Sequence, residues 1–130
     1  MPRKPTPTLT TAELGIMNVL WEHGEATVNE VLDRMTVRNR PAYNTVLTVL
    51  RILEDKGYVG HTKEGRAHRF RPLVGREVAR RKAVKHMVSS FFDGSPIGLM
   101  LNMVASEELS PGDLREVARL IEEKEKEADS

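Results

Sequence analysis

Residues 42–72 read AYNTVLTVLRILEDKGYVGHTKEGRAHRFRP, and the spacing of their apolar residues changes from helical to alternating after Gly57. Four apolar residues of the first part stand at positions i, i+3, i+4 and i+7: Val46, Val49, Leu50 and Leu53. This spacing is typical of the buried face of an amphipathic helix, and a glycine is the usual left-handed residue after such a helix. The stretch therefore predicts a helix from about Ala42 to Lys56, followed by a β-hairpin.

The hairpin is predicted around Glu64-Gly65, a turn signal between two runs of alternating residues. With a two-residue loop at these positions, three pairs of residues face each other: Lys63 and Arg66, His61 and His68, and Val59 and Phe70. We favour this register because it places the apolar pair at the base of the hairpin, where both side chains can be buried together.

The residues before this stretch predict two shorter helices. Thr10 or Thr11 is expected to cap the first, which ends at His23-Gly24, and Thr27 with Glu30 matches the capping box of the second. The apolar stripes are Leu14, Met17, Val19, Leu20 and Trp21 in the first helix, and Val28, Val31, Leu32 and Met35 in the second. Three helices followed by a hairpin are the order of a winged helix-turn-helix, whose third helix enters the major groove of DNA.

Three further helices are predicted towards the C-terminus. They begin near Gly75, at Ser95-Pro96 and at Ser110-Pro111, and residues 97–104 are apolar on nearly every side. Because these helices cannot form a core alone, we expect a dimerisation region; the alternative is a cap that packs on the first domain. The expected interface residues are Leu99, Leu101, Val104, Leu114, Val117 and Ile121.

The predicted fold is therefore mainly α. A winged helix-turn-helix domain with a small β-hairpin wing is expected over residues 9–74, and a C-terminal helical dimerisation region over residues 75–130. Residues 1–8 contain three prolines and are expected to form a disordered tail.

The charge of the chain is divided unevenly along its length. The first 86 residues hold 16 Lys and Arg against 9 Asp and Glu, whereas residues 87–130 hold 4 against 10. A basic first part favours a polyanionic partner for that part of the chain.

Composition excludes several other classes of protein. The chain has no Cys, which excludes disulfides and thiolate metal sites. It has no run of 18 apolar residues and no apolar segment after its N-terminal charges, so we expect a cytoplasmic protein without membrane insertion. It also lacks a nucleophile elbow, a phosphate-binding glycine loop and an HExxH motif, so no enzyme and no cofactor are expected.

The side of the predicted third helix that faces away from its apolar stripe carries groups that can read DNA bases: Asn44, Thr45, Thr48 and Arg51. Asn pairs with an adenine edge, Arg with guanine, and the Thr methyl contacts the thymine methyl. Five residues nearby are expected to hold phosphates: Arg40, Tyr43, Lys63, Arg66 and Arg69. The alternative interpretation of this helix side is an ordinary solvated face.

Several segments taken together resemble the penicillinase repressors, the BlaI/MecI group. They are residues 42–53 with Lys56-Gly57, the ELxxMxxLW pattern from Glu13 to Trp21, GRAHRFxP from Gly65 to Pro72, Leu101-Asn102 and Leu109-Ser110. The resemblance runs from about Leu9 to Lys124. It implies a double-stranded DNA partner, a homodimer and repression at a palindromic operator, and regulated members control resistance to β-lactam antibiotics.

The sequence departs from this family at three places. In members regulated by a membrane sensor-protease pathway, the repressor is cut after an Asn that precedes Phe, and the matching bond here is Asn102–Met103. A second interpretation of Asn102 is a polar residue accommodated in a packed helix. Some members carry Arg or Lys where Leu47 and Ile52 stand, so the operator need not be the usual one. The copper-responsive members use C-terminal cysteines, which this chain lacks.

Three further hypotheses remain open from the residues. A winged helix can serve as a protein–protein adaptor, which the basic surroundings of the third helix disfavour. A second hypothesis is a regulator that binds a small effector, although the sequence indicates no evident pocket. His61 and His68 are a possible pair of metal ligands, but zinc needs three or four, so no metal is expected.

Overall fold

The computed structural model describes residues 8–35, 38 and 40–129 of the chain. Its elements are α1 (Thr11–His23), β1 (Ala26–Thr27), α2 (Val28–Arg34), α3 (Tyr43–Asp55), β2 (Val59–Glu64), β3 (Ala67–Pro72), α4 (Arg76–Phe91), α5 (Pro96–Ala105) and α6 (Pro111–Asp129). The predicted winged helix-turn-helix is confirmed. The predicted N-terminal tail, apart from Thr8, lies outside the described residues.

The chain divides into two compact units between His86 and Met87, within α4. The first unit contains α1 to α3, the sheet and most of α4, and the second contains the end of α4 with α5 and α6. The domain boundary expected after residue 74 lies just before Arg76, the first residue of α4, and stays a prediction.

Helix α1 begins after Thr10, one of its two predicted caps, and α2 begins at its predicted capping box. In α1 the hydroxyl of Thr10 accepts a hydrogen bond from the backbone N–H of Glu13, whose carboxylate accepts one from the N–H of Thr10. Thr27 and Glu30 make the same reciprocal pair at the start of α2. These bonds satisfy backbone donors that have no partner within the helix, and they hold the pKa of Glu30 below its ordinary value.

Replacing Thr27 with Ala is expected to lower the free energy of unfolding by about 1 kcal/mol, because α2 loses its side-chain cap. Urea titration followed by circular dichroism measures this change. Thr62→Ala, on an exposed strand position, is the matched control and should change stability by less than about 0.5 kcal/mol. Equal effects of the two substitutions would contradict the capping role.

The core of the first unit lies between α1, α2, α3 and the sheet. Its largest fully buried side chains are Tyr58, Phe70, Met17, Leu20, Leu50, Leu53, Val31, Val46 and Val59. The predicted apolar stripe of α1 was partly wrong, since Leu14 is exposed and Ile16 is buried. The buried residues of α1 are Glu13, Ile16, Met17, Val19 and Leu20. All but Val19 form an i, i+3, i+4, i+7 stripe that begins with a carboxylate, which hydrophobic patterning overlooks.

The sheet has three antiparallel strands in the order β1-β3-β2. The predicted hairpin register was wrong, because Glu64 pairs with Ala67 and His61 pairs with Phe70. The loop is Gly65 and its successor, with Gly65 at φ 61°. A glycine at the first loop position suits a type II′ turn, which has a positive φ there.

The second unit has one buried apolar residue among those described, Val88. Helices α5 and α6 contain no buried residue, although they begin at the predicted sites with Ser95 and Ser110 as capping residues. Exposed apolar side chains are spread over both helices and the end of α4: Met87, Phe91, Ile97, Met100, Leu101, Met103, Val104, Leu114, Leu120 and Ile121.

Candidate nucleic-acid interface

The exposed side of α3 carries all four of the predicted base-reading residues. Asn44, Thr45, Thr48 and Arg51 are each exposed to solvent. On the opposite side of the helix Val46, Leu50 and Leu53 are fully buried. Packing of this apolar side against the core therefore fixes the rotation of α3 about its own axis and points the polar side outward.

The N-terminal end of α3 differs from those of α1 and α2. Its N-cap is Ala42, which makes no side-chain hydrogen bond, and its first turn has no acidic residue. Among the described residues, the first backbone N–H groups of α3 therefore have no capping side chain at the N-cap position. A helix start of this kind is compatible with an approaching phosphate.

The C-terminal end of α3 is held by a buried ion pair that sequence analysis missed. The Nζ of Lys56 lies 2.7 Å from Oε1 of Glu13 and 3.0 Å from the carbonyl oxygen of Thr8. Both charged side chains are only 5% exposed. The two residues are 43 positions apart, and neither carries a local signal of such a partner. The ion pair connects the C-terminal end of α3 to the N-terminal end of α1.

A second contact joins α3 to the wing, the hairpin formed by β2, β3 and their turn. Nδ1 of His61 on β2 lies 2.7 and 2.8 Å from the two carboxylate oxygens of Glu54 on α3. The ring of His61 stacks on that of His68, with 4.5 Å between ring centroids and 15° between planes. The two histidines are thus diagonal neighbours on one face, not the directly opposed pair that the predicted register gave.

The structure separates the three wing residues expected to hold phosphates. Lys63 is exposed and pairs with His68, so it lies on the His61 face, and Arg66 is exposed in the turn. Arg69 lies on the opposite face, where it donates to Glu64 at 2.6 Å and lies 3.2 Å from Glu30 of α2. The hydrogen bond to Glu64 raises the pKa of the Arg69 guanidinium. Arg69 is therefore engaged within the protein.

The two remaining members of the predicted phosphate set lie before and at the start of α3. Tyr43 is the first residue of α3 and its side chain is exposed. Arg40 donates a hydrogen bond of 3.4 Å to the carbonyl oxygen of Met35, the C-cap of α2. Both side chains therefore stand at the end of α3 that has no cap of its own.

A sequence model described as the penicillinase repressor matches residues 9–123. The chain belongs to the penicillinase repressor family. The penicillinase repressor of Bacillus licheniformis is 28% identical over 120 residues, which cover 92% of this chain and 94% of that protein. The methicillin resistance regulatory protein MecI of Staphylococcus aureus is 24% identical over 116 residues, covering 89% of this chain and 94% of that protein.

Solved structures of a related repressor also match this member of the penicillinase repressor family. The DNA-binding domain of the repressor BlaI is 32% identical, with a TM-score of 0.48, covering 58% of this chain and 90% of that one. The monomeric form of Bacillus licheniformis BlaI, in complex with the blaP half-operator, is 31% identical, with a TM-score of 0.47, covering 57% and 89%.

The described part of the chain contains neither a cluster of metal-ligating side chains nor a helix that could span a membrane. Within residues 8–35, 38 and 40–129, no three or more His, Cys, Asp or Glu side chains come together as metal ligands would. Over the same residues, no helix combines the length and the hydropathy needed to cross a bilayer.

Proposed function

We propose that this member of the penicillinase repressor family is a transcriptional repressor that places α3 in the major groove of double-stranded DNA. The observation that supports this function is the polar exposed side of α3, which packing of the buried apolar side against the core holds in a fixed orientation. Asn44 and Arg51 would contact base edges, and Thr45 and Thr48 would contact thymine methyls. Ile52, also exposed on α3, adds an apolar group for the same purpose.

The phosphate contacts are assigned to residues that flank α3. Arg40 and Tyr43 stand at its uncapped start, and Lys63 and Arg66 stand at the exposed end of the wing. Arg69 joins them only by exchanging Glu64 for a phosphate, because its guanidinium is paired in the free protein. Such contacts fix the position of the protein on DNA without reading its sequence.

Replacing Arg51 and Lys63 separately with Ala tests this division of roles. The operator is first isolated by retaining genomic fragments on the protein against excess random DNA. Arg51→Ala is expected to weaken operator binding by about 1–3 kcal/mol and to relax base preference at one position. Lys63→Ala is expected to weaken operator and random DNA equally, and to reduce the salt slope of binding by about one.

Titration of labelled operator and random duplexes at several salt concentrations measures both effects. Lys126→Ala, on exposed α6 and outside the proposed interface, is the control and should leave both affinities unchanged. If Arg51→Ala and Lys63→Ala behave alike, the assignment of base and phosphate contacts is wrong. If no fragment survives the competitor DNA, the repressor function itself is wrong.

We also propose that the protein acts as a homodimer on a palindromic operator, because two-fold DNA sites suit two-fold proteins. The support is the exposed apolar surface of the second unit, where Phe91 is 80% and Leu101 62% exposed. All six residues expected at the interface are exposed or half-buried in the single chain: Leu99, Leu101, Val104, Leu114, Val117 and Ile121. Exposed apolar side chains in this number favour a contact surface.

We further propose that a sensor-protease pathway ends repression by cutting the protein. This proposal rests on the resemblance to regulated members of the family. The Asn102–Met103 bond lies within α5, and both side chains are exposed in the single chain. Cleavage there would separate α6 from the DNA-binding unit and so divide the proposed dimerisation surface. Mass spectrometry of repressor recovered from cells exposed to a β-lactam tests it, since an intact chain under induction would exclude this route.

A further inference from the structure

A solvent-open cavity of about 330 Å³, most of whose lining residues are exposed, lies within the first unit against α1 and the first two turns of α4. Its lining residues are Leu9, Leu14, Asn18, Trp21, Arg76, Ala79, Arg80 and Ala83. All of them belong to the first unit. The volume falls at the lower end of the range of about 300–1,000 Å³ that is usual for small-molecule sites. Hydrophobic patterning did not indicate this cavity, because its lining residues come from two parts of the chain that are far apart in sequence, α1 with Leu9 before it and α4.

The aromatic wall of the cavity is fixed in orientation. The indole Nε1 of Trp21 donates a hydrogen bond of 2.9 Å to the carbonyl oxygen of Val74. The polar edge of the ring is therefore satisfied by the protein. The guanidinium carbon of Arg76 lies 5.4 Å from the centre of the Trp21 ring, within the range of a cation–π contact.

The charged groups of the cavity are two arginines. Within residues 8–35, 38 and 40–129, no carboxylate lies within salt-bridge distance of Arg76. Arg80 pairs with Glu77 at 2.8 Å, but both side chains are about 70% exposed, and an ion pair in that setting is weak. Glu77 is not a lining residue. The cavity therefore combines apolar walls with positive charge and one amide, that of Asn18.

We propose that this cavity binds a small aromatic carboxylate. The ring of the ligand would lie against Trp21 and the two leucines, and its carboxylate would accept hydrogen bonds from Arg76 and Arg80, which suit planar anions. Charge disfavours residues 1–7 of the chain as the occupant, because they contain Arg3 and Lys4. This site is distinct from the proposed DNA-reading side of α3 and stands independently of it.

Trp21 is the only tryptophan of the chain, so its fluorescence reports directly on the cavity. The full-length protein is titrated with 3-phenylpropionate and, separately, with the neutral 3-phenylpropanol. We expect a saturable change with a dissociation constant of about 1 mM or lower for the carboxylate. The alcohol should bind at least about tenfold more weakly, because it lacks the charge-assisted hydrogen bonds. No saturable change up to about 10 mM would overturn the site.

Three variants locate the binding. Arg76→Gln should weaken 3-phenylpropionate binding about tenfold, whereas Arg81→Gln, an exposed arginine of α4 outside the lining, should leave it unchanged. Ala83→Phe, at an exposed helix position, should fill the cavity and abolish binding without lowering the melting temperature. Equal weakening by Arg76→Gln and Arg81→Gln would show general charge attraction, and full binding by Ala83→Phe would place the ligand elsewhere. Either result overturns the proposal.

Discussion

Replacing Lys56 with Met is expected to lower the free energy of unfolding by about 3–5 kcal/mol, the usual effect of removing one partner of a buried ion pair. Glu13 would keep its hydrogen bond from the N–H of Thr10 but would lose the cation 2.7 Å away. A carboxylate only 5% exposed cannot recover that interaction from water. The pair joins α3 to α1, so its loss should also loosen the proposed recognition helix.

Urea titration at a fixed protein concentration, followed by the fluorescence of Trp21, measures this effect. Lys63→Met removes an exposed lysine on the wing and should change stability by less than about 0.5 kcal/mol. The double variant Glu13→Gln with Lys56→Met removes both charges and should recover much of the loss, since neither charge is then left buried alone. A Lys56→Met variant as stable as Lys63→Met would mean that the ion pair contributes nothing.

The parts of the fold that sequence predicted are those with local causes. The caps of α1 and α2 involve residues three positions apart, and the end of α3 is set by one glycine with φ 84°. The side of α3 that faces solvent follows from a stripe of buried apolar residues on the other side. Each of these is determined within one or two turns of chain, where spacing alone carries the information.

The parts that sequence missed depend on distant contacts. The threonines at the start of α1 predicted a cap, but not that the carboxylate of Glu13 is buried against Lys56 from the end of α3. Strand β1 has two residues and exists because it pairs with β3. Both Lys63 and Arg69 were predicted to hold phosphates, although they lie on opposite faces of the hairpin. The ion-pair partners of Arg69 could not be predicted, because one of them, Glu30, lies on α2 and is brought close only by folding.

The register of the wing shows how a small local error changes a functional interpretation. A loop placed one residue too early made His61 and His68 a directly opposed pair, whereas the structure makes them diagonal neighbours. Because the total register shift is two residues, both histidines stay on the same face of the hairpin. His61 is instead bound to Glu54, which ties the wing to the proposed recognition helix.

Replacing Leu101 with Asp is expected to convert the proposed homodimer into a monomer and to weaken binding to the full palindromic operator about a hundredfold or more. Two linked half-site contacts gain a large effective concentration that two separate monomers lack. Leu101 is 62% exposed in the single chain, so Asp at this position should leave α5 folded. In a dimer the same position would bury a charge in an apolar interface, which is costly.

Sedimentation velocity gives the oligomeric state, and titration of whole and half operators gives the two affinities. Leu101→Met keeps an apolar side chain of similar volume and should remain dimeric, because such exchanges are well tolerated. Affinity for an isolated half-operator should be the same in Leu101→Asp and the unmodified protein, because α3 and the wing are untouched. Loss of half-operator binding would indicate damage to the DNA-binding unit, whereas a Leu101→Asp variant that stays dimeric would place the interface away from this side of α5.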